Sequence, residues 1–159
     1  MVGLDEAEIV VAAGMPHPTE AEAQGSPLVS ALAAAQTRGV PMLVADSDFV
    51  YPERGFNRLG PGWLARFYAG LGGAVTEYGK PFDPIYDEAL ALVGGAAPHE
   101  VLMIGDNLAT DVLGAARRGF ASLLVQESGV HAGLDMAALA AEASRAGAAP
   151  TFVSQHLRW

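Results

Sequence analysis

The chain has 159 residues, 51% of them apolar, enough to build a core in one compact domain or a small two-lobed unit. It contains no cysteine, which excludes disulfides, thiolate zinc sites and a cysteine nucleophile. A formal charge of −9 disfavours nucleic-acid binding, and a phosphorylated small molecule would need a local positive group or a bound cation to offset that field.

No apolar run approaches the roughly 18–20 residues that span a bilayer. Asp5, Glu6 and Glu8 stand where a secretion signal would need basic residues and then an apolar stretch. A soluble cytoplasmic protein is therefore expected, with no membrane partner. In chain order, Glu8-Ile-Val-Val-Ala-Ala13 reads as a buried strand ended by Gly14 and Pro16. His17 to Gly25 is polar and acidic and reads as an exposed loop. Ser26-Pro27 opens a helix, with Ser as cap and Pro at the first helical position. Leu28, Leu32 and Ala35 follow at helical spacing up to Arg38, and Gly39 stops the helix. Pro41 to Ala45 is a second strand, Asp46 to Gly62 is turn-rich, and Trp63 to Leu71 is a helix with Trp63, Phe67 and Leu71 on one face. Ala74 to Tyr78 is a short extended piece.

Asp83-Pro84 repeats the cap-plus-proline signature and opens a helix running to Val93. Val101 to Ile104 is a continuous apolar strand, Thr110 to Arg118 a helix ended by Gly119, and Ala121 to Val125 a strand. Asp135 to Arg145 is an Ala-rich helix, and Thr151 to Val153 a last strand. Strands alternating with helices give an α/β fold with a mainly parallel sheet.

The chemistry concentrates after the strand that ends at Gly105. Asp106 follows directly, and Asp111 comes five residues later at the start of a helix. In open α/β sheets ligands bind beyond the carboxyl ends of strands, so Asp106 sits where chemistry is expected. Gly105 permits a sharp turn and leaves room for a ligand. Two carboxylates so close repel unless a cation lies between them, and hard oxygen ligands suit Mg²⁺, which also bridges phosphate oxygens. The same residues have a structural explanation: Thr110 as a helix cap, Asp111 as a partner of the helix dipole, and Asp106 as the closure of a strand-to-helix turn. Lys80, in the proline-fixed Gly79-Lys80-Pro81 loop, could neutralise a phosphate and the carboxylate attacking it, although most lysines are simply solvated.

Taken together, Gly79-Lys-Pro-Phe-Asp-Pro-Ile-Tyr-Asp-Glu-Ala-Leu90, Val101-Leu-Met-Ile-Gly-Asp-Asn-Leu-Ala-Thr-Asp111 and Gly114-Ala-Ala-Arg-Arg-Gly-Phe-Ala-Ser-Leu-Leu-Val125 closely resemble the haloacid dehalogenase (HAD) superfamily, in its subfamily IIA with a C2-type cap. Upstream, Glu8 to Gly14 looks like the first cap strand. Leu43 to Asp48 with Pro52 and Gly60-Pro-Gly62 looks like the cap stretch, with Asp46-Ser47 in place of the usual Asn-Pro. The resemblance implies a HAD-like Rossmannoid parallel sheet, here the C-terminal half of the core (79–159), and an α/β C2-type cap domain (1–78). It implies an Mg²⁺-dependent phosphohydrolase of a small phosphorylated metabolite. Lys80 would stabilise the phosphoryl group and Asp106 would ligate Mg²⁺. Asp111 would be the second acid of the metal motif, as a ligand or just behind one. Asn107 would orient Asp106 or face the ligand, and the cap would cover the site and select the substrate.

In this family an Asp-x-Asp motif on an early strand supplies the nucleophile and the general acid–base. It lies before the cap, where this chain begins, so it is expected to be missing, leaving Val101 to Ile104 as an exposed apolar edge. Asp46-Ser47-Asp48 has the Asp-x-Asp spacing, but Phe49-Val50 follows where the family turns on Gly-Val or Gly-Thr. The second hypothesis is accordingly a non-catalytic cap-plus-half-core module that binds metal or a partner, either a second copy or the missing N-terminal half. Among the remaining residues, His131 follows the strand Ala121 to Val125 and could line the substrate cleft, though loop histidines are more often surface residues. His17, His99 and His156 lack metal spacing. Arg117-Arg118 suits the helix C-terminus. Gly70-Leu-Gly-Gly73 follows a helix, so it is not a dinucleotide loop.

Overall fold

Each apolar run forms a short parallel strand in the computed structural model, which describes residues 5–17, 19–53, 56–127 and 129–158. The chain divides into two units, Met1–Gly79 and Lys80–Trp159. No helix among the described residues is long and apolar enough to cross a membrane.

The first unit contains β1 (Val10–Ala12), α1 (Glu20–Gln24), α2 (Pro27–Thr37), β2 (Met42–Val44), β3 (Val50–Glu53), β4 (Phe56–Leu59), α3 (Pro61–Gly70) and β5 (Val75–Glu77). A three-stranded parallel sheet has the order β1-β2-β5. The central strand, β2, buries Met42 and Val44 against Leu32, Ala35, Trp63, Leu64 and Tyr68 in one continuous core. Trp63 stacks on Phe67 with centroids 5.2 Å apart, as their four-residue spacing predicts. The Tyr68 hydroxyl donates to the Val40 carbonyl, which satisfies a polar group inside that core, and burial pushes its pKa up. Leu71, expected on the same face as Trp63, is exposed just past the helix end.

Two sequence expectations change here. The supposed loop at His17 to Gly25 contains α1, capped by Thr19 Oγ1 accepting from the Glu22 N–H at 3.3 Å, with Glu20 and Glu22 favourably placed in its first turn. The turn-rich stretch contains an antiparallel hairpin, β3 with β4, in which Val50 faces Leu59.

The second unit contains α4 (Asp83–Leu92), β6 (Leu102–Gly105), a π-helical turn (Leu108–Val112) that runs into α5 (Leu113–Arg118), β7 (Ala121–Val125), α6 (Met136–Ala146) and β8 (Phe152–Ser154). Its parallel sheet has the order β6-β7-β8. One apolar cluster joins Leu108, Val112 and Leu124 to Leu139 and Ala143 of α6. A second joins Tyr86 of α4 to Ala115 and Phe120, with Val101 and Met103 packed against it. Ser122 and Thr151 exchange backbone-to-hydroxyl hydrogen bonds of 3.0 and 3.1 Å, which locks the start of the β7–β8 pairing. The strand β6 is an edge of its sheet, and Leu102 and Ile104, which point to one side of it, are 48% and 46% exposed. The exposed side chains thus lie on one face of β6, and Val101 and Met103 pack inward against Tyr86, Ala115 and Phe120.

Candidate active site

Residues of the second unit build the candidate site where β6 ends. The Asp111 side chain is buried, and each of its oxygens has a defined task. Oδ1 lies 2.6 Å from Lys80 Nζ, while Oδ2 accepts the backbone N–H groups of Asp106 and Asn107, both at 3.1 Å. One carboxylate thus folds the loop after β6 and holds the lysine. The Lys80 side chain remains 34% exposed against 5% for Asp111, so the ammonium is anchored but reachable. Gly105 is needed because a Cβ there would fall 2.1 Å from Asp111 Cγ, so the space left by the missing side chain is taken by that carboxylate.

The helix that presents Asp111 starts earlier than the sequence suggested. Asn107, not Thr110, is its cap: Asn107 Oδ1 accepts from the Ala109 N–H at 2.9 Å. Thr110 is buried within the π-helical turn, a geometry that recurs at functional sites. Similarly, Phe82 occupies the cap position of α4 and Asp83 is the first helical residue. The lysine loop is tied to α5 through Arg117, whose guanidinium donates to the Pro81 carbonyl at 3.4 Å. Arg118 bridges Asp83 and Asp87 of α4. These two arginines therefore do more than complement the helix dipole.

Gly129, Val130 and Tyr86 were not legible as site residues in the sequence, whereas His131 was expected there only as a candidate lining of the cleft. The loop after β7 reaches Asp106: the Val130 N–H donates to Asp106 Oδ2 at 3.2 Å, and a Cβ on Gly129 would lie 2.2 Å from Asp106 Cβ. His131 Nε2 accepts the Leu108 N–H at 3.2 Å. Burial lowers the His131 pKa, opposed by the nearby Glu142 and Asp106 carboxylates. The Tyr86 hydroxyl is buried without a hydrogen-bond partner against Gly114. Burial raises its pKa, and the Asp111 charge adds to the effect. Of the predicted residues, Lys80, Gly105, Asp106, Asn107, Asp111 and His131 therefore come together around one loop.

Asp46 and Asp48 belong to the first unit, in a tight turn after β2. Asp46 Oδ1 accepts the Asp48 N–H at 3.1 Å. Gly60 packs on the Asp48 carbonyl and Gly62 on the Ser47 carbonyl, where added Cβ atoms would approach to 2.0 and 2.4 Å respectively. This pattern accounts for the stretch as a turn that seats the hairpin and the start of α3.

Among the described residues, no group of three or more His, Asp or Glu side chains converges to hold a metal. Both Asp111 oxygens are already engaged, which leaves Asp106 as the carboxylate available to a cation. Mg²⁺ requires only one or two carboxylates and keeps several waters or phosphate oxygens, so Asp106 fits one position of such a site.

Residues 77–159 match the HAD-hydrolase-like family model. A haloacid dehalogenase-like hydrolase from Brucella suis 1330 is 30% identical over 99% of this chain and 58% of its own, with a TM-score of 0.76. A p-nitrophenyl phosphatase from Archaeoglobus fulgidus is 26% identical over 97% of this chain and 56% of its own, with a TM-score of 0.71. A possible sugar phosphatase from Cytophaga hutchinsonii shares the fold at 20% identity, covering 98% of this chain and 55% of its own, with a TM-score of 0.72. The chain thus spans a little over half the length of these solved structures. Comparison with curated proteins finds no match.

Proposed function

The chain belongs to the HAD-hydrolase-like family, with a Rossmann-like α/β core and a cap domain, and on that premise we propose that it supplies the lysine- and metal-bearing share of a phosphohydrolase site. We assign residues up to Gly79 to a cap of the C2 type and residues from Lys80 to the C-terminal half of the core. The substrate class is a small phosphorylated metabolite. By itself the chain is a non-catalytic module that binds a cation, and turnover requires a nucleophilic aspartate that Asp46 does not provide.

The observation that carries this reading is the 2.6 Å contact between Lys80 Nζ and Asp111 Oδ1, next to Asp106 at the carboxyl end of β6. A lysine fixed in this way presents positive charge to a phosphoryl group without reorganising during reaction. Asp111 holds that lysine and the loop backbone, and Asn107 Oδ1 fixes the helix start behind the loop. Asp106 is the residue that would hold Mg²⁺, which when bound would neutralise charge on the phosphoryl oxygens. The open edge of β6, with Leu102 and Ile104 exposed, supports pairing with a further strand.

The test is hydrolysis of p-nitrophenyl phosphate by the purified chain with Mg²⁺. The expected result is no turnover above buffer, for the chain and for Asp46→Asn alike. Turnover by the chain that disappears in Asp46→Asn would replace this reading with an internal nucleophile.

A further inference from the structure

The loop that follows β7 touches the Asp106 segment at three points. The Val130 N–H holds Asp106 Oδ2 at 3.2 Å, Gly129 lies against Asp106 Cβ with no room for a side chain, and His131 Nε2 accepts the Leu108 N–H at 3.2 Å. Leu108 opens the π-helical turn, where a backbone N–H has no partner within the helix. His131 supplies that partner from 23 residues away. The loop is itself anchored: the buried Gln126 side chain donates to the Leu134 carbonyl and, at 3.5 Å, to that of His131.

We infer that His131 is a positioning residue, which acts through the Leu108 N–H to fix the Asp106 carboxylate in the orientation that receives the cation. The imidazole does not touch the cation or the substrate. An accepting Nε2 places the ring proton on Nδ1, so this role defines one tautomer. His131 and Val130 are adjacent, so a single loop conformation sets both the helix start and the carboxylate. Displacing the ring would release both contacts together. The depressed basicity of His131, caused by its burial, keeps Nε2 available as an acceptor.

This inference rests on the reading that Asp106 binds the metal, and its test separates the two. In ¹⁵N-labelled chain, imidazole nitrogen shifts report the tautomer, amide exchange reports the Leu108 N–H, and shifts of the Asp106 and Asn107 amides under Mg²⁺ titration report affinity. Wild type should show the Nδ1–H tautomer. His131→Leu should speed Leu108 exchange and weaken Mg²⁺ binding by about 10-fold or more, the scale at which partners behind a metal ligand act. His131→Gln, which returns an acceptor oxygen at similar reach, should recover most of both effects. A merely space-filling ring predicts that Leu preserves the values better than Gln, and that outcome would overturn the proposal, as would the opposite tautomer or unchanged Leu108 exchange in His131→Leu. Asp106→Asn isolates the other claim. If it leaves Mg²⁺ affinity unchanged the metal reading fails, and with it the proposed positioning role, whereas loss in Asp106→Asn with no loss in His131→Leu removes the positioning role alone.

Discussion

The two units use similar parallel three-stranded sheets in different ways. The first is held by one continuous apolar cluster, from Ala12 to Tyr68. The second has two smaller clusters, and all the buried polar or charged residues among those described lie in it: Thr110, Asp111, Ser122 and Gln126. A buried carboxylate is costly unless its oxygens are satisfied, and Asp111 meets that condition with a lysine and two backbone N–H groups. The contrast indicates where stability has been traded for placement. The first unit packs, and the second places charge.

Asp111→Ala should produce the largest effect on this contrast. Lys80 is one-third exposed and can be resolvated, so the main cost is the partly buried backbone N–H groups of Asp106 and Asn107 that lose their acceptor, about 1–3 kcal/mol. Per-residue hydrogen exchange should show that loss across Lys80–Trp159, with protection in the first unit retained. Uniform loss in both units would contradict the division of roles. Tyr68→Phe should be milder, about 1 kcal/mol for one net hydrogen bond, detected as a lower denaturation midpoint with Mg²⁺ binding unchanged.

A smaller effect follows from pH. Burial lowers the His131 pKa in the folded chain, with Glu142 and Asp106 partly opposing it. The protonated ring is therefore disfavoured on folding. Its contribution is fully present above the unfolded value of about 6.5 and is lost as pH falls through the lower folded value. A melting curve series below pH 6.5 should show a drop that is absent in His131→Gln. An equal drop in that variant would assign the pH dependence to other groups.

The sequence carried the parallel strands well because β2, β6 and β7 are short apolar runs bounded by Gly, Pro or polar residues. It carried the Ser26-Pro27 helix start for the same local reason: the Ser26 side chain caps from two residues away. The hairpin was harder to read, because Val50–Glu53 includes Pro52, is only partly buried and shows no apolar alternation. The start of the Asp111 helix was displaced because Thr110 looked like a cap, whereas Asn107 does that work across the extra residue of a π-helical turn. Order and spacing singled out Lys80, Asp106 and Asp111 as candidates, and the fold brings the three to one loop. The Asp111–Lys80 pairing could only be seen in three dimensions, as could the contacts of Val130 and His131, which run through backbone N–H groups far away in sequence.

Asp106, and not the Asp46–Asp48 turn, is the proposed ligand of the cation. Mg²⁺ titration followed through backbone amide shifts tests this assignment residue by residue. Saturable shifts should centre on Gly105 to Leu108, vanish in Asp106→Asn and persist in Asp46→Asn. Shifts that persist in Asp106→Asn, or that centre on Asp46 to Asp48 and vanish in Asp46→Asn, would contradict it.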